Sequence, residues 1–212
     1  MIKPRIPASI ASEDISRILP ECCENGDSIS MCLFEDGYFE NISTSTVEFS
    51  KCIFRRMQFN ECDIGRIHFI DCRFDGCDLS GFQFREGTIR QCVFSDCRSV
   101  GTNFSRMSLR DVSFEGCLME YVGFADCKFN EVSFSGCEMP HALFHSCIQK
   151  QLHLSACRMQ GCEIVETAFS GVDLSDCSID GIRTSIRFLE GTQVSLMQAP
   201  VLLSLCGIGL KT

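Results

Sequence analysis

The chain has 212 residues, of which 45% are hydrophobic and 22% charged, and this composition predicts a globular protein rather than a disordered one. A formal net charge of −9 at pH 7 argues against a protein that binds nucleic acid through its phosphates. The sequence contains neither a recognisable signal peptide nor a convincing membrane span, so we expect a cytoplasmic protein.

The first predicted element is a short amphipathic helix over residues 8–19. Ser9 or Ser12 would provide its N-cap. Its apolar side chains are Ile10, Ile15, Ile18 and Leu19. We assign residues 1–28 to a cap that covers the open end of the repeat region that follows.

A five-residue repeat occupies residues 29–190. From Phe34 to Thr184 an apolar residue recurs at almost every number ending in 4 or 9, and a smaller residue, most often cysteine, precedes it by two positions. A period of five fits neither an α-helix nor a β-strand. It predicts a chain that turns a corner every five residues and points two side chains of each quintet inward. Such coils must stack about 4.8 Å apart to bury those side chains.

A spacing of twenty residues indicates how many quintets make one coil. It aligns one column of phenylalanines and one column of cysteines. These columns are Phe34, Phe54, Phe74, Phe94, Phe114 and Phe134, and Cys77, Cys97, Cys117, Cys137, Cys157 and Cys177. We therefore expect a four-sided coil. The repeat then amounts to nearly eight coils, which stack into a rod about 37 Å long.

The seventeen cysteines are interpreted mainly as packing residues; a redox role stays open for Cys22, Cys23 and Cys206, which lie outside the repeat. Most of them occupy the small inward position of the repeat, where a free thiol behaves as a small hydrophobe. Parallel inward side chains and a reducing compartment both disfavour disulfide bonds. His141 and His145 would project outward while Cys147 projects inward, so we expect no metal ion and no cofactor.

The segment over residues 191–212 is predominantly apolar. Pro200 is expected to divide it into two short helices, and Gly207 to end the second. One small cap cannot bury so many apolar side chains, so we expect the remainder to form a two-fold homodimer through the C-terminal ends. The residues assigned to this interface are Leu196, Met197, Val201, Leu202, Leu205 and Ile208. Membrane anchoring by this tail is the weaker alternative.

The repeat resembles that of the pentapeptide-repeat family, whose motif is a small residue, a polar residue, then Leu or Phe and two more. Cys77-Asp78-Leu79-Ser80-Gly81 and Val172-Asp173-Leu174-Ser175-Asp176 follow it. The resemblance implies an all-β fold, a right-handed quadrilateral β-helix with a short N-terminal cap and a C-terminal helical dimerisation segment. The layout, with a tail ending in Leu205-Cys206-Gly207-Ile208, resembles the Qnr and MfpA types. The unbroken register lacks the two loop insertions that many Qnr proteins carry.

The Qnr-type resemblance implies a cytoplasmic bacterial protein that mimics duplex DNA, binds DNA gyrase and topoisomerase IV, and protects them from quinolones. Duplex DNA carries one charge per roughly 1.7 Å, so a dimer about 74 Å long would need about 44 charges. Twice −9 is far short of that, which excludes mimicry along the whole rod. Residues 161–190 carry six acids and two bases, a local net charge of −4 that matches DNA better. The residues assigned to this topoisomerase-binding band are Glu163, Glu166, Asp173, Asp176 and Asp180.

Other functions remain open at this point. A uniform rod offers no cleft for the paired carboxylates of a carbohydrate enzyme, and no phosphate loop or nucleophile elbow is present, so we expect a non-enzyme. The main alternative is a scaffold or secreted effector that binds another protein, with acidic charge that serves only solubility.

Overall fold

The repeat bends the chain at residues whose numbers end in 1 or 6. Most of them adopt a left-handed backbone conformation, with φ values such as +66° at Gly101, +56° at Tyr121 and +59° at His141. This conformation is free of steric cost only for glycine, and it costs other residues about 1–2 kcal/mol. Such a corner separates most neighbouring sides of each coil.

The computed structural model describes residues 2–25, 27–60 and 62–209 of the chain. Its helices are α1, Ile15–Asn25, and α2, Ala199–Leu205, with 3-10 turns at Ile186–Leu189 and Leu196–Gln198. Its strands are β1 Ala11–Ser12, β2 Ile29–Ser30, β3 Cys32–Glu35, β4 Tyr38–Phe39, β5 Ser43–Ser50, β6 Ile53–Arg55, β7 Gln58–Phe59, β8 Asp63–Ile70, β9 Arg73–Asp75, β10 Gln83–Phe84, β11 Gly87–Ser95, β12 Asn103–Ser105, β13 Met107–Glu115, β14 Gly123–Ala125, β15 Lys128–Ser135, β16 Leu143–His145, β17 Ile148–Ser155, β18 Glu163–Val165 and β19 Arg183–Thr184.

Beyond β1, paired strands run in parallel one coil apart in a register of twenty residues, whereas β1 pairs with β3 in a register of twenty-one. Phe94 lies opposite Phe114, and Phe104 opposite Phe124. The result is a four-sided solenoid of about eight coils, which confirms the predicted quadrilateral β-helix. We name its sides by the inward residue of one coil: face A by Phe114, face B by Met119, face C by Phe124 and face D by Phe129. Within the described residues of the repeat, the register runs without a loop insertion.

The interior is a continuous apolar column. Phe114 is 1% exposed and stacks between Phe94 and Phe134, with ring centroids 4.8 Å away on either side. Nearly all described residues at the two inward positions of each quintet are buried, which confirms the predicted inward register. The long-range stacking explains why phenylalanine dominates these positions, since each ring adds offset or edge contacts to its buried area.

The cysteines fill the small inward position and also satisfy backbone carbonyls. Cys97 donates from Sγ to the carbonyl oxygen of Phe74 in the preceding coil, 3.5 Å away. Sixteen of the cysteines are free thiols. Burial raises the pKa of the Cys72 thiol well above its usual value and that of Cys162 to about 12. These thiols are therefore protonated packing residues at neutral pH.

The N-terminal end differs from the expected helix over residues 8–19. Ala11 and Ser12 pair with Cys32 and Leu33 of the first coil, and α1 begins only at Ile15. The Asp14 carboxylate accepts hydrogen bonds from the amide and hydroxyl of Ser16, both at the start of α1. This side chain, rather than Ser9 or Ser12, caps the helix. Ile15 and Leu19 then cover the core of the first coil.

The C-terminal end is closed by a polar clamp. The Gln198 side chain is buried, and its Nε2 donates to the carbonyl oxygens of Leu174 and Cys177, each 2.7 Å away. These carbonyls belong to the last coils. The Leu174 carbonyl oxygen also accepts a hydrogen bond from the amide of Cys177 at 3.0 Å, so Gln198 adds a second bond there. Pro200 follows in the first turn of α2, and Gly207, with a φ of +73°, ends that helix as expected.

Candidate functional site

The five residues of the predicted acidic band lie at similar heights on the rod but on different sides. Glu163 lies on face C and Glu166 at the corner between faces C and D. Asp173 lies on face A, Asp176 at the corner between faces A and B, and Asp180 at the end of face B. The fold therefore brings them into an incomplete ring around the last coils, which is open on face D.

The band residues differ in how much of their charge is free. Arg183 contacts Glu163 at 2.8 Å and neutralises it. Glu166 instead accepts a hydrogen bond from the Ser146 hydroxyl at 2.9 Å. The side chain and amide of Ser175 both lower the pKa of Asp173, so this exposed carboxylate is fully ionised at neutral pH. Among the described residues, no base forms an ion pair with Glu166, Asp173, Asp176 or Asp180.

Elsewhere on the rod, acids and bases commonly pair across coils. Three examples with a spacing of twenty residues are Glu35 with Arg55 at 3.1 Å, Asp36 with Arg56 at 2.6 Å and Glu138 with Arg158 at 3.0 Å. Such exposed pairs contribute little stability, but they reduce the field of each partner. The last coils thus keep more uncompensated negative charge than these parts of the rod.

The six residues assigned to the dimer interface fall into two groups. Leu196, Met197 and Ile208 project into solvent, with 88%, 86% and 51% of their surface exposed. The other three, Val201, Leu202 and Leu205, are half-buried and pack against the core of their own rod. Beside them lies a concavity of about 330 Å³, whose lining includes Ile186, Leu189 and Leu202. An exposed apolar surface of this kind usually marks a contact with another molecule.

A second concavity, of about 910 Å³, lies at the opposite end between α1 and the first coils. Its lining combines apolar side chains such as Leu19 and Met57 with several carboxylates. Arg55 and Arg56 pair with two of these, Glu35 and Asp36, and Arg17 pairs with a third, Glu13.

The sequence did not predict the course of residues 2–10, which we call the N-terminal arm. The amide of Ile2 donates to the Asp111 carboxylate and that of Arg5 to the Asp71 carboxylate, both at 2.9 Å. Asp71 and Asp111 are 9% and 6% exposed. No local signal announces these contacts, because the partners are 66 and 109 residues apart.

The two histidines considered as metal ligands lie apart from the inward thiol. His141 is exposed and stacks on Tyr121 at 5.0 Å, whereas Cys147 is buried and donates to the carbonyl oxygen of Phe124. Over residues 2–25, 27–60 and 62–209, no group of three metal-binding side chains could hold an ion. In the same described part of the chain, no helix is long and apolar enough to span a membrane.

Comparisons with known proteins concern the repeat and the fold. The model of the pentapeptide repeat region matches residues 67–144, and that of pentapeptide repeats in nine copies matches residues 44–83. A search of curated proteins finds no match. Trypsin-treated QnrB1, a plasmid-mediated fluoroquinolone resistance protein, aligns over 100% of both chains with 16% identity and a TM-score of 0.46. HetL, a pentapeptide repeat protein involved in heterocyst differentiation regulation in the cyanobacterium Nostoc, aligns over 85% of this chain and 94% of its own, with 14% identity and a TM-score of 0.41.

Proposed function

This chain is a pentapeptide-repeat protein, and from that premise we propose that it is a homodimeric DNA mimic that binds type II topoisomerases and protects them from quinolones. The C-terminal ends of two rods meet, and the two acidic bands then lie on either side of the contact. DNA gyrase, topoisomerase IV or both are the partners. No nucleic acid is bound directly.

The free charge of the last coils is the observation that carries this proposal. Residues 161–190 hold a net charge of −4 within about 1.5 coils, or about 7 Å of rod. Two copies give −8 over about 14 Å, and duplex DNA of that length carries about eight charges. A positive protein surface that is shaped to bind DNA would meet a similar density of negative charge here. The ring is open on face D, so faces A, B and C present this density to the partner.

The apolar C-terminal surface supports the dimer on which this charge density depends. Leu196 and Met197 are almost fully exposed, although they are large apolar residues in the centre of a clamped segment. A two-fold contact would bury the same patch on both chains. The patch lies on the end of the rod, so a partner that binds the sides of the rod would leave it exposed. A second copy of the chain, bound end to end, would cover it.

The test is DNA supercoiling by gyrase in the presence of a quinolone. We expect the wild-type protein to restore part of the supercoiled product, and the triple variant Glu166→Lys, Asp173→Lys, Asp176→Lys to lose this effect. The matched control is Asp96→Lys, Glu115→Lys, Glu120→Lys, which changes the net charge equally but away from the last coils. Equal loss in both variants would indicate a dependence on overall charge only. Absence of binding to either topoisomerase at low salt would favour a scaffold for another protein.

A further inference from the structure

Face D carries a stripe of basic residues on an otherwise acidic rod. Arg90 lies in register with Arg110, Arg110 with Asn130, and Asn130 with Lys150. Lys128 also lies on this face, and these four basic side chains are exposed. The outward strand positions of face D from Thr88 to Lys150 include no acid. They are Thr88, Arg90, Ser108, Arg110, Lys128, Asn130, Ile148 and Lys150.

This arrangement differs from the cross-coil ion pairs of the other faces. There, an arginine commonly lies one coil away from a carboxylate, as Arg158 does from Glu138. Arg90 and Arg110 instead place like charges directly opposite each other on adjacent strands, which destabilises a sheet. The nearest carboxylate, Asp111, reaches Arg110 only at 3.7 Å. Because the stripe costs stability, the binding of a ligand explains its presence better than a role in folding.

The N-terminal arm strengthens the positive charge of this side. Its backbone amides occupy the carboxylates of Asp71 and Asp111 at the corner between faces D and A. The side chains of Lys3 and Arg5 stay exposed. Three residues of extended chain span about 10 Å, and the two coils between Asp71 and Asp111 span about the same distance, so the arm fits this corner without strain. It covers two acids and adds two bases beside the stripe.

We propose that face D, together with the N-terminal arm, binds an acidic segment of a protein partner. From Arg90 to Lys150 the stripe covers three coils, about 14 Å, which is the length of about four extended residues. A short segment rich in Asp or Glu would place its carboxylates along the stripe without reaching the acidic faces. A long polyanion such as duplex DNA would extend beyond the stripe and meet the negative field of a chain with a net charge of −9. This surface lies on the side where the acidic band is open and is independent of topoisomerase binding.

The experiment measures the fluorescence anisotropy of labelled tetraglutamate, titrated with the full-length protein at low salt. We expect saturable binding that weakens at least tenfold in Arg90→Gln, Arg110→Gln. The control Arg98→Gln, Arg158→Gln also removes two positive charges, but from face B, and should stay within twofold of wild type. Absence of binding, or equal weakening in both variants, would overturn the proposal. So would a 20-base-pair duplex that binds more tightly than tetraglutamate.

A stability measurement separates a binding stripe from a structural one. Arg90→Gln, Arg110→Gln should unfold at the same temperature as wild type or at a higher one, because the substitution removes like-charge repulsion between adjacent strands. A clear decrease of the unfolding temperature would indicate that the two arginines stabilise the fold. It would overturn the argument that the stripe lowers stability.

Discussion

The hydroxyl of Thr102 donates a hydrogen bond to the carbonyl oxygen of Leu79 in the preceding coil, 2.6 Å away. Cys97, one quintet earlier, makes the same contact from its thiol to Phe74. The small inward position thus accepts either residue because both are compact and both donate. This equivalence explains the high cysteine content without any redox or metal chemistry. The position requires a small side chain, as the buried Val122 shows, and a thiol or hydroxyl there adds a hydrogen bond.

The buried Cys162 thiol predicts a loss of stability at alkaline pH. Burial raises the pKa of Cys162 to about 12, whereas an unfolded chain releases this proton near the ordinary value of 9.0. Between these values the folded state binds the proton and the unfolded state does not, so the free energy of unfolding falls as the pH rises. This thiol contributes up to about 1.4 kcal/mol per pH unit in this window. Denaturant unfolding between pH 8 and 11, under reducing conditions, measures the slope.

The variant Cys162→Val provides the control for this prediction. Val122 occupies the equivalent position on the same face two coils earlier and is fully buried, so valine fits there. We expect the pH dependence above pH 9 to become shallower by about one proton. An unchanged slope would contradict the assignment of Cys162 as a thiol that ionises only on unfolding.

The phenylalanine stack predicts a large effect of a single truncation. Phe114→Ala should reduce the free energy of unfolding by about 3–5 kcal/mol, because it removes a buried ring and leaves a cavity between Phe94 and Phe134. Tyr121→Ala, which removes a ring that is 59% exposed, should change it by less than about 0.5 kcal/mol. Thermal or denaturant unfolding monitored by circular dichroism compares the two. Similar losses in both variants would be incompatible with the inward register.

Two glycines with positive φ predict different outcomes for the same substitution. A Cβ atom at Gly87 would lie 1.8 Å from the carbonyl oxygen of Ile67, so Gly87→Ala must separate β11 from β8. At Gly101 a Cβ would meet no atom within 4 Å, and the cost is only that of the left-handed backbone, about 1–2 kcal/mol. We expect Gly87→Ala to destabilise at least twice as much in the same unfolding measurement. Equal effects would show that β11 has room to move away.

The exposed C-terminal residues predict the oligomeric state. Wild-type protein should have twice the mass of one chain in light scattering, and Leu196→Asp, Met197→Asp should reduce it to one. This pair is a cleaner test than Leu202→Asp, since Leu202 also packs against its own rod. Ile148→Asp, at a residue 69% exposed on face D, is the matched control and should remain dimeric. A monomeric wild type would remove the main support for paired acidic bands.

The sequence predicts most of the solenoid because the repeat is local and regular. Given five residues per side and four sides per coil, the remainder of a residue number after division by twenty identifies its face. The same rule places Arg183 directly across one coil from Glu163, so their ion pair could have been inferred. What the rule cannot predict lies outside the repeat. The start of α1 depends on pairing of Ala11 with Cys32, and the N-terminal arm depends on carboxylates far along the chain.

The uninterrupted five-residue register also constrains how such a protein can change its length. Insertion of one or two residues would bring every later phenylalanine to the surface unless the extra residues were expelled as a bulge at a corner. Insertion of five residues would preserve the interior but rotate every later coil by a quarter turn. An insertion between the basic stripe and the acidic ring would then turn the opening of the ring away from the face that carries the stripe. Only duplication of twenty residues lengthens the rod and leaves both surfaces aligned, so evolutionary growth by whole coils is the route that conserves function.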